Sequence, residues 1–362
     1  MNTTPLATAQ PIDLPAARAQ IDTVLTDFLN AKTDAAAASG LPRDLAQAVR
    51  RHLQAGGKRL RPLLCVTGWH AADGHGDTIP LLRTAAAVEM FHAFCLIHDD
   101  IMDNSEMRHG RPTVHRHLAA DYGVGHSPEQ ARKLGADAAL LVGDMALAWS
   151  DELLHTAGHP STTLAALHDV IDLMREEVIY GQYLDLTSTG QATGDIEQAL
   201  QIILYKTAKY TVERPLHIGA TLAGADQHLL DALSAFALPL GEAFQLRDDL
   251  IGAFGNEATS GKSCLDDLRE GKPTVLIAHA LKAADDTQAR LLRTLYGNPR
   301  LEEDSAATLR TVLKATRADQ TVEHMIADRF EHAVTALYEA PIPPHVQGQL
   351  RHLAENATWR TS

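Results

Sequence analysis

The chain has 362 residues, 45% of them hydrophobic but only 5% aromatic, and a formal net charge of −14 at pH 7. So acidic a balance argues against general nucleic-acid or anionic-membrane binding; an anionic substrate would have to be held by local cations or metal ions. The three cysteines, Cys65, Cys95 and Cys264, form no CxxC pair, which argues against a disulfide framework or a thiolate zinc site and leads us to expect a reducing, cytoplasmic setting.

Ala and Leu dominate and β-branched runs are few, which favours helices. Residues 1–12 read as a flexible tail without the basic and apolar regions of a signal peptide, and residues 13–362 as one domain. Leu14–Asn30 has helical spacing, a turn follows near Ser39–Pro42, and a helix then runs toward Gly56-Gly57. Leu63–Ala72 and Pro80–His98 read as buried helices, and Met102–Gly110 as a helix end and loop. Tyr122–Pro128 is a loop, and Lys133–His155 and Leu164–Leu186 are strong helices. The region from Ile196 to His217 contains YKTAKYT, and Leu229–Phe254 is a second long apolar stretch. Gly255–Lys272 reads as a Gly-rich charged loop, and Thr274–Lys282, Thr287–Tyr296, Ser305–Ala315 and Val322–Leu337 as helices. No run approaches 18 uninterrupted apolar residues, so no membrane span is expected. The expected fold is a single all-α bundle.

Two of these apolar stretches end in paired aspartates: FHAFCLIHDDIMD and GEAFQLRDDLIGAFG. Acids at a helix C-terminus oppose the macrodipole by about 0.3–1 kcal/mol each, so a positive partner is expected. Asp99 and Asp103 are four apart and share a helix face, with Cβ atoms about 5–6 Å apart. Carboxylates so placed suit magnesium, which takes oxygen ligands and is held by one or two carboxylates plus substrate phosphates. Asp248 and Asp249 form the second cluster, and Gly252 stands where a third acid would complete the repeat. A solvated helix end is the plain alternative, weakened because both clusters interrupt long apolar runs.

Cationic residues recur near these acids. In GGKRLRP, Lys58 and Arg61 are three apart beside glycines and a helix N-terminus, an arrangement suited to a phosphate group. Arg108, His109 and Arg111 follow the first aspartates and could neutralise a diphosphate. Lys206 and Thr207 lie in an apolar helix, where a lysine can also simply snorkel. Lys262 and Lys272 flank an acidic loop, where local salt bridging is the alternative. His92 is seven before Asp99, on about the same face.

The ordered set GGKRLRP, HDDIMDNSEMRHGRPTVH, Gly143-Asp144, GQYLDL, YKTAKYT, FQLRDDLIGAFG and GKSCLDDLREGKPT resembles the trans-type isoprenyl diphosphate synthases, the polyprenyl synthetase family, over residues 45 to 335. The resemblance implies an all-α bundle around a central cavity, a homodimer, and Mg2+-dependent condensation of isopentenyl diphosphate with an allylic diphosphate. It implies three Mg2+ ions on Asp99, Asp103 and Asp248. Arg108, Lys206 and Lys272 would hold the allylic diphosphate, with Lys262 nearby, and Lys58, Arg61 and His92 the isopentenyl diphosphate. Thr207 and Gln245 would line the reacting allyl cation. The chain departs from the family at His109, where a second Arg usually contacts isopentenyl diphosphate, and at Gly252.

Product length is read from Phe94, five before Asp99, and Phe91, three further back on the same face. Both can floor the cavity; plain core packing is an equal reading of Phe91. A bulky aromatic five before the motif resembles family members that stop at C20, so C20 is expected, with C15 second. A class I terpene cyclase and a non-catalytic partner subunit are the competing functions. The first lacks a use for GGKRLRP, and the second would be expected to lose an aspartate cluster.

Overall fold

The computed structural model describes residues 12–255 and 264–360, so Lys262 and nearly all of the expected N-terminal tail lie outside the described residues. Ile12, at the edge of that tail, is buried in the core. The first helix, α1 (Leu14–Ala38), runs eight residues past its expected end at Asn30. The extension is alanine-rich, and alanine has the highest helix propensity. It is followed by α2 (Asp44–Gln54), α3 (Leu60–Ala71) and α4 (Ile79–Met102).

Where a helix end and loop were expected, the chain makes a two-residue hairpin, with β1 (Met107–Arg108) antiparallel to β2 (Arg111–Pro112). Its turn is His109-Gly110, both with positive φ, at 51° and 71°. Such two-residue hairpins demand a left-handed first position, which histidine tolerates better than most residues.

Next come α5 (Val114–Asp121), α6 (Pro128–His155) and α7 (Ser161–Ser188). A capping box at Ser127 and Gln130 starts α6. α8 (Ile196–Ile202) passes into a π-helical stretch, Ile203–Glu213, and then into α9 (Arg214–Leu222). An ordinary apolar helix is expected there around Lys206 and Thr207. Pro215 lies in the first turn of α9; it has no N–H to donate and its ring crowds the carbonyl of Thr211, which disturbs the α register. The widened turns lie against two glycines. A Cβ on Gly181 of α7 would sit 2.4 Å from the Lys206 nitrogen, and one on Gly241 would sit 2.4 Å from the Ala208 Cα.

The second long apolar helix, α10 (Gln227–Phe254), packs against the π-helical stretch. Part of the expected loop over Gly255–Lys272 is instead a short helix, α11 (Cys264–Glu270), which buries Leu268. The remaining helices are α12 (Val275–Ala283), α13 (Asp286–Leu295), α14 (Glu303–Ala315), α15 (Ala318–Glu339) and α16 (Pro344–Thr358). The architecture is all-α, as expected.

By length and composition α4 and α10 could each cross a membrane. Here both are walls of the bundle. α4 packs against α6, and α10 against α15, and the two carry the paired aspartates.

Candidate active site

A cavity of about 840 Å³ opens between α4, α7, the π-helical stretch, α10 and the start of α12. Asp99, Arg108, Lys206, Thr207, Gln245, Asp248 and Lys272 line it, and so do Arg61, His92, His109 and Phe94. Residues separated by more than 200 positions thus meet in one place.

At its first acidic wall, Asp99 faces three cations. Lys206 Nζ lies 3.3 Å from Asp99 Oδ1 and 2.5 Å from Asp185 Oδ2. Arg108 Nη2 lies 3.5 Å from Asp99 and 2.6 Å from Asp100. Gln182 Nε2 donates to Asp99 Oδ1 at 3.0 Å. Burial alone would raise the Asp99 pKa, but the charges of Lys206, Lys272 and Arg108 hold its carboxyl well below the usual carboxylate range. Asp103 caps α4 and accepts from Lys272 Nζ at 2.7 Å. Burial would lower the Lys272 pKa, but Asp99, Glu270 and Asp103 raise it well above the ordinary lysine value. These cations answer the electrostatic problem posed by acids at a helix C-terminus.

The second acidic wall is on α10. Asp248 is ion-paired with Arg360, and burial raises its pKa despite that partner. Gln245 bridges two groups: its Oε1 accepts from Thr207 Oγ1 at 2.7 Å and its Nε2 donates to Asp249 at 2.9 Å. Gly252 does not leave a hole where the third acid is missing. A Cβ there would lie 2.4 Å from Asp267 Oδ2, so the Asp267 carboxylate stands against that position.

The basic motif before α3 divides by direction. Arg59, with a left-handed φ of 52°, turns inward to Glu89 at 2.8 Å and Asp22 at 2.9 Å. Lys58 is exposed and does not line the cavity, although Asp248 and Arg360 both act on its charge. Arg61 reaches in, donating to Thr211 Oγ1 at 2.6 Å, with its guanidinium 4.4 Å over the Tyr210 ring. Arg61 Nη1 also lies 3.0 Å from His92 Nε2. A guanidinium only donates, so Nε2 accepts, and Nδ1 carries the proton toward Tyr210 Oη at 3.1 Å. Burial, reinforced by Arg61, pushes the His92 pKa well below its ordinary value. His92 therefore orients Arg61 as a neutral ring and adds no charge.

Phe94 lines the cavity, while Phe91 is buried behind it, ring centroids 5.4 Å apart. His109 lines the cavity at the hairpin tip, whereas Arg111 does not.

Three lining groups had no role in the sequence reading. Gln182 and Asp185 lie in GQYLDL, three apart on α7, so helical spacing places them on one face. Arg360 carries no sequence signal; only the path of the chain after α16 brings it to Asp248.

The sequence profile of the polyprenyl synthetase family matches residues 42–313. The chain belongs to the polyprenyl synthetase family. It is a prenyltransferase of the polyprenyl diphosphate synthase type. A crystal structure of geranylgeranyl pyrophosphate synthase from Corynebacterium glutamicum, complexed with isoprenyl diphosphate and magnesium, is similar at 39% identity and a TM-score of 0.92, covering 96% of this chain and 100% of that one. The fold is the single isoprenoid synthase fold. A short chain isoprenyl diphosphate synthase from Methanocaldococcus jannaschii is 32% identical over 273 residues, 75% of this chain and 76% of that protein. A geranylfarnesyl diphosphate synthase from Natronomonas pharaonis is 31% identical over 261 residues, covering 68% and 72%.

Members of the family use Mg2+. The donor set here fits that ion. Asp99, Asp103 and Asp248 offer the hard carboxylate oxygens such an ion takes, although among the described residues no three acids converge on one point. Among the described residues the one cysteine at the cavity is Cys95, whose thiol is pushed up to about 12 by burial and supplies no thiolate.

Proposed function

We propose that the protein condenses isopentenyl diphosphate with an allylic diphosphate, head to tail, and releases mainly the C20 product. The observation that carries this reading is the pairing of carboxylates and cations at one cavity whose deeper wall is apolar and aromatic. Asp99, Asp103 and Asp248 would hold the Mg2+ ions. When bound, Mg2+ supplies electrophilic stabilisation of the leaving diphosphate. Arg108, Lys206 and Lys272, which pair with these acids here, would hold the allylic diphosphate, where fixed charges stabilise developing negative charge. The oxygen dipoles of Thr207 and Gln245 stand where the allylic carbon becomes positive. The apolar cavity excludes water that would quench the cation. Arg61, held by His92 and Thr211, and the exposed Lys58 would take the isopentenyl diphosphate, with His109 in the place of the usual second Arg.

Phe94 supports the C20 assignment, since the Phe91 ring behind it makes a two-layer floor. The relatives' names span short-chain, C20 and C25 products, so the assignment rests on this floor. Incubation with isopentenyl diphosphate, Mg2+ and each allylic starter, with product sizing, tests it; C20 as the main product is expected.

The same reading takes residues 13–362 as one working domain acting as a homodimer. Leu140 and Leu141 on α6 and Tyr180 on α7 are exposed apolar side chains that a second copy would cover. A solution mass of one chain, measured by light scattering, would overturn the dimer.

A further inference from the structure

The acids expected to hold metal each have a cation at hand: Asp99 has Lys206, Asp103 has Lys272, and Asp248 has Arg360. Lys206 and Lys272 come from motifs of the family. Arg360 comes from none and lies 112 positions beyond its partner. Its guanidinium is held 4.2 Å over the Phe244 ring and lines the cavity. The preceding residue, Trp359, packs on Phe330 with ring centroids 5.5 Å apart, and the Arg247 guanidinium lies 5.8 Å from its ring. Arg247 Nε also donates to the Thr358 carbonyl at 2.9 Å, tying the end of α16 to α10.

A divalent cation and a guanidinium on one carboxylate repel each other, so Mg2+ at Asp248 would compete with Arg360. We propose that Arg360 is an internal counter-ion that occupies Asp248 in the metal-free protein, is displaced when Mg2+ arrives with diphosphate, and moves Trp359 as it leaves. The inference rests on Asp248 being a metal ligand. It makes the segment after α16 a reporter of metal loading.

The test uses the full chain, MgCl2 and inorganic pyrophosphate, with Mg2+ binding followed by calorimetry and tryptophan emission recorded in parallel. Trp69 and Trp149 are buried and Trp359 is half-exposed, so a Trp359→Phe variant identifies the responding ring. Mg2+ with pyrophosphate should shift the wild-type emission, and the shift should vanish in Trp359→Phe. Arg360→Gln should bind Mg2+ several-fold more tightly and show the loaded emission before metal is added, while Arg360→Lys should stay close to wild type. A side chain that only anchored α16 would alter melting temperature without altering Mg2+ affinity. Equal Mg2+ affinity in Arg360→Gln and wild type, or emission that ignores Mg2+ and pyrophosphate, overturns the proposal. Asp248→Asn separates the two levels. If it binds Mg2+ as wild type does, the metal-site reading is what fails; if it binds weakly while Arg360→Gln is unchanged, only the counter-ion role fails.

Discussion

Lys272 Nζ donates to the Asp103 carboxylate at 2.7 Å across 169 positions of chain. An acid at the end of α4 and a base at the entry to α12 therefore form one rim. The pair is partly buried, and Asp99 and Glu270 add to the negative field around the lysine. Lys272→Ala should lower kcat roughly 10²–10³-fold, the scale for loss of one positioned donor to a developing anion. Steady-state kinetics with saturating substrates measure it; a near-normal kcat would remove Lys272 from the diphosphate site.

Phe94 and Phe91 should respond differently. Phe94→Ala should lengthen the product, read by chromatography of dephosphorylated chains. Phe91 is 1% exposed and does not line the cavity, so Phe91→Ala should act first on stability, by about 3–5 kcal/mol. Unchanged product sizes in Phe94→Ala would refute the floor.

His52 makes stability pH-dependent. Burial, then the charges of Arg108, His109 and Arg59, lower its pKa to about 3 from 6.5. Between those values the unfolded chain binds the proton and the folded one does not, so stability falls as pH drops from 6.5 toward 3. His52→Asn should flatten this fall, raising the melting temperature at pH 4.5 relative to that at pH 7.5. Parallel melting curves for the two proteins across that range would contradict it.

Much of the site could be read in advance because Asp99, Asp103, Lys206 and Thr207 sit in short motifs at helical spacing. Their pairings could not, since Lys272–Asp103 and Arg360–Asp248 depend on how distant helices close. Lys58, Arg59 and Arg61 are all basic and close together in sequence; only the structure shows Arg59, with its left-handed φ, paired with Glu89 and Asp22 instead of facing the cavity. The π-helical stretch was also hidden. Its apolar spacing is that of a plain helix, and the widening accompanies Pro215 and close contacts at Gly181 and Gly241. The helix α11 was masked by composition, because a Gly-rich charged segment reads as loop even where Leu268 is buried.

His109 at the hairpin tip tests the departure from the family pattern. An imidazole charges within the range pH 5–8, an arginine stays charged throughout. The KM for isopentenyl diphosphate should therefore rise between pH 6 and 8 more in the wild type than in His109→Arg. A KM ratio independent of pH would show that His109 does not act as a cation there.

The central claim is condensation at one cavity that needs both aspartate walls. Its most direct measurement is turnover of isopentenyl diphosphate with geranyl or farnesyl diphosphate and Mg2+, in the wild type, Asp99→Ala and Asp248→Ala. The account predicts chain-elongated diphosphate from the wild type only, abolished by chelation of the metal. A hydrocarbon formed from geranylgeranyl diphosphate alone, or undiminished elongation in either variant, would contradict it.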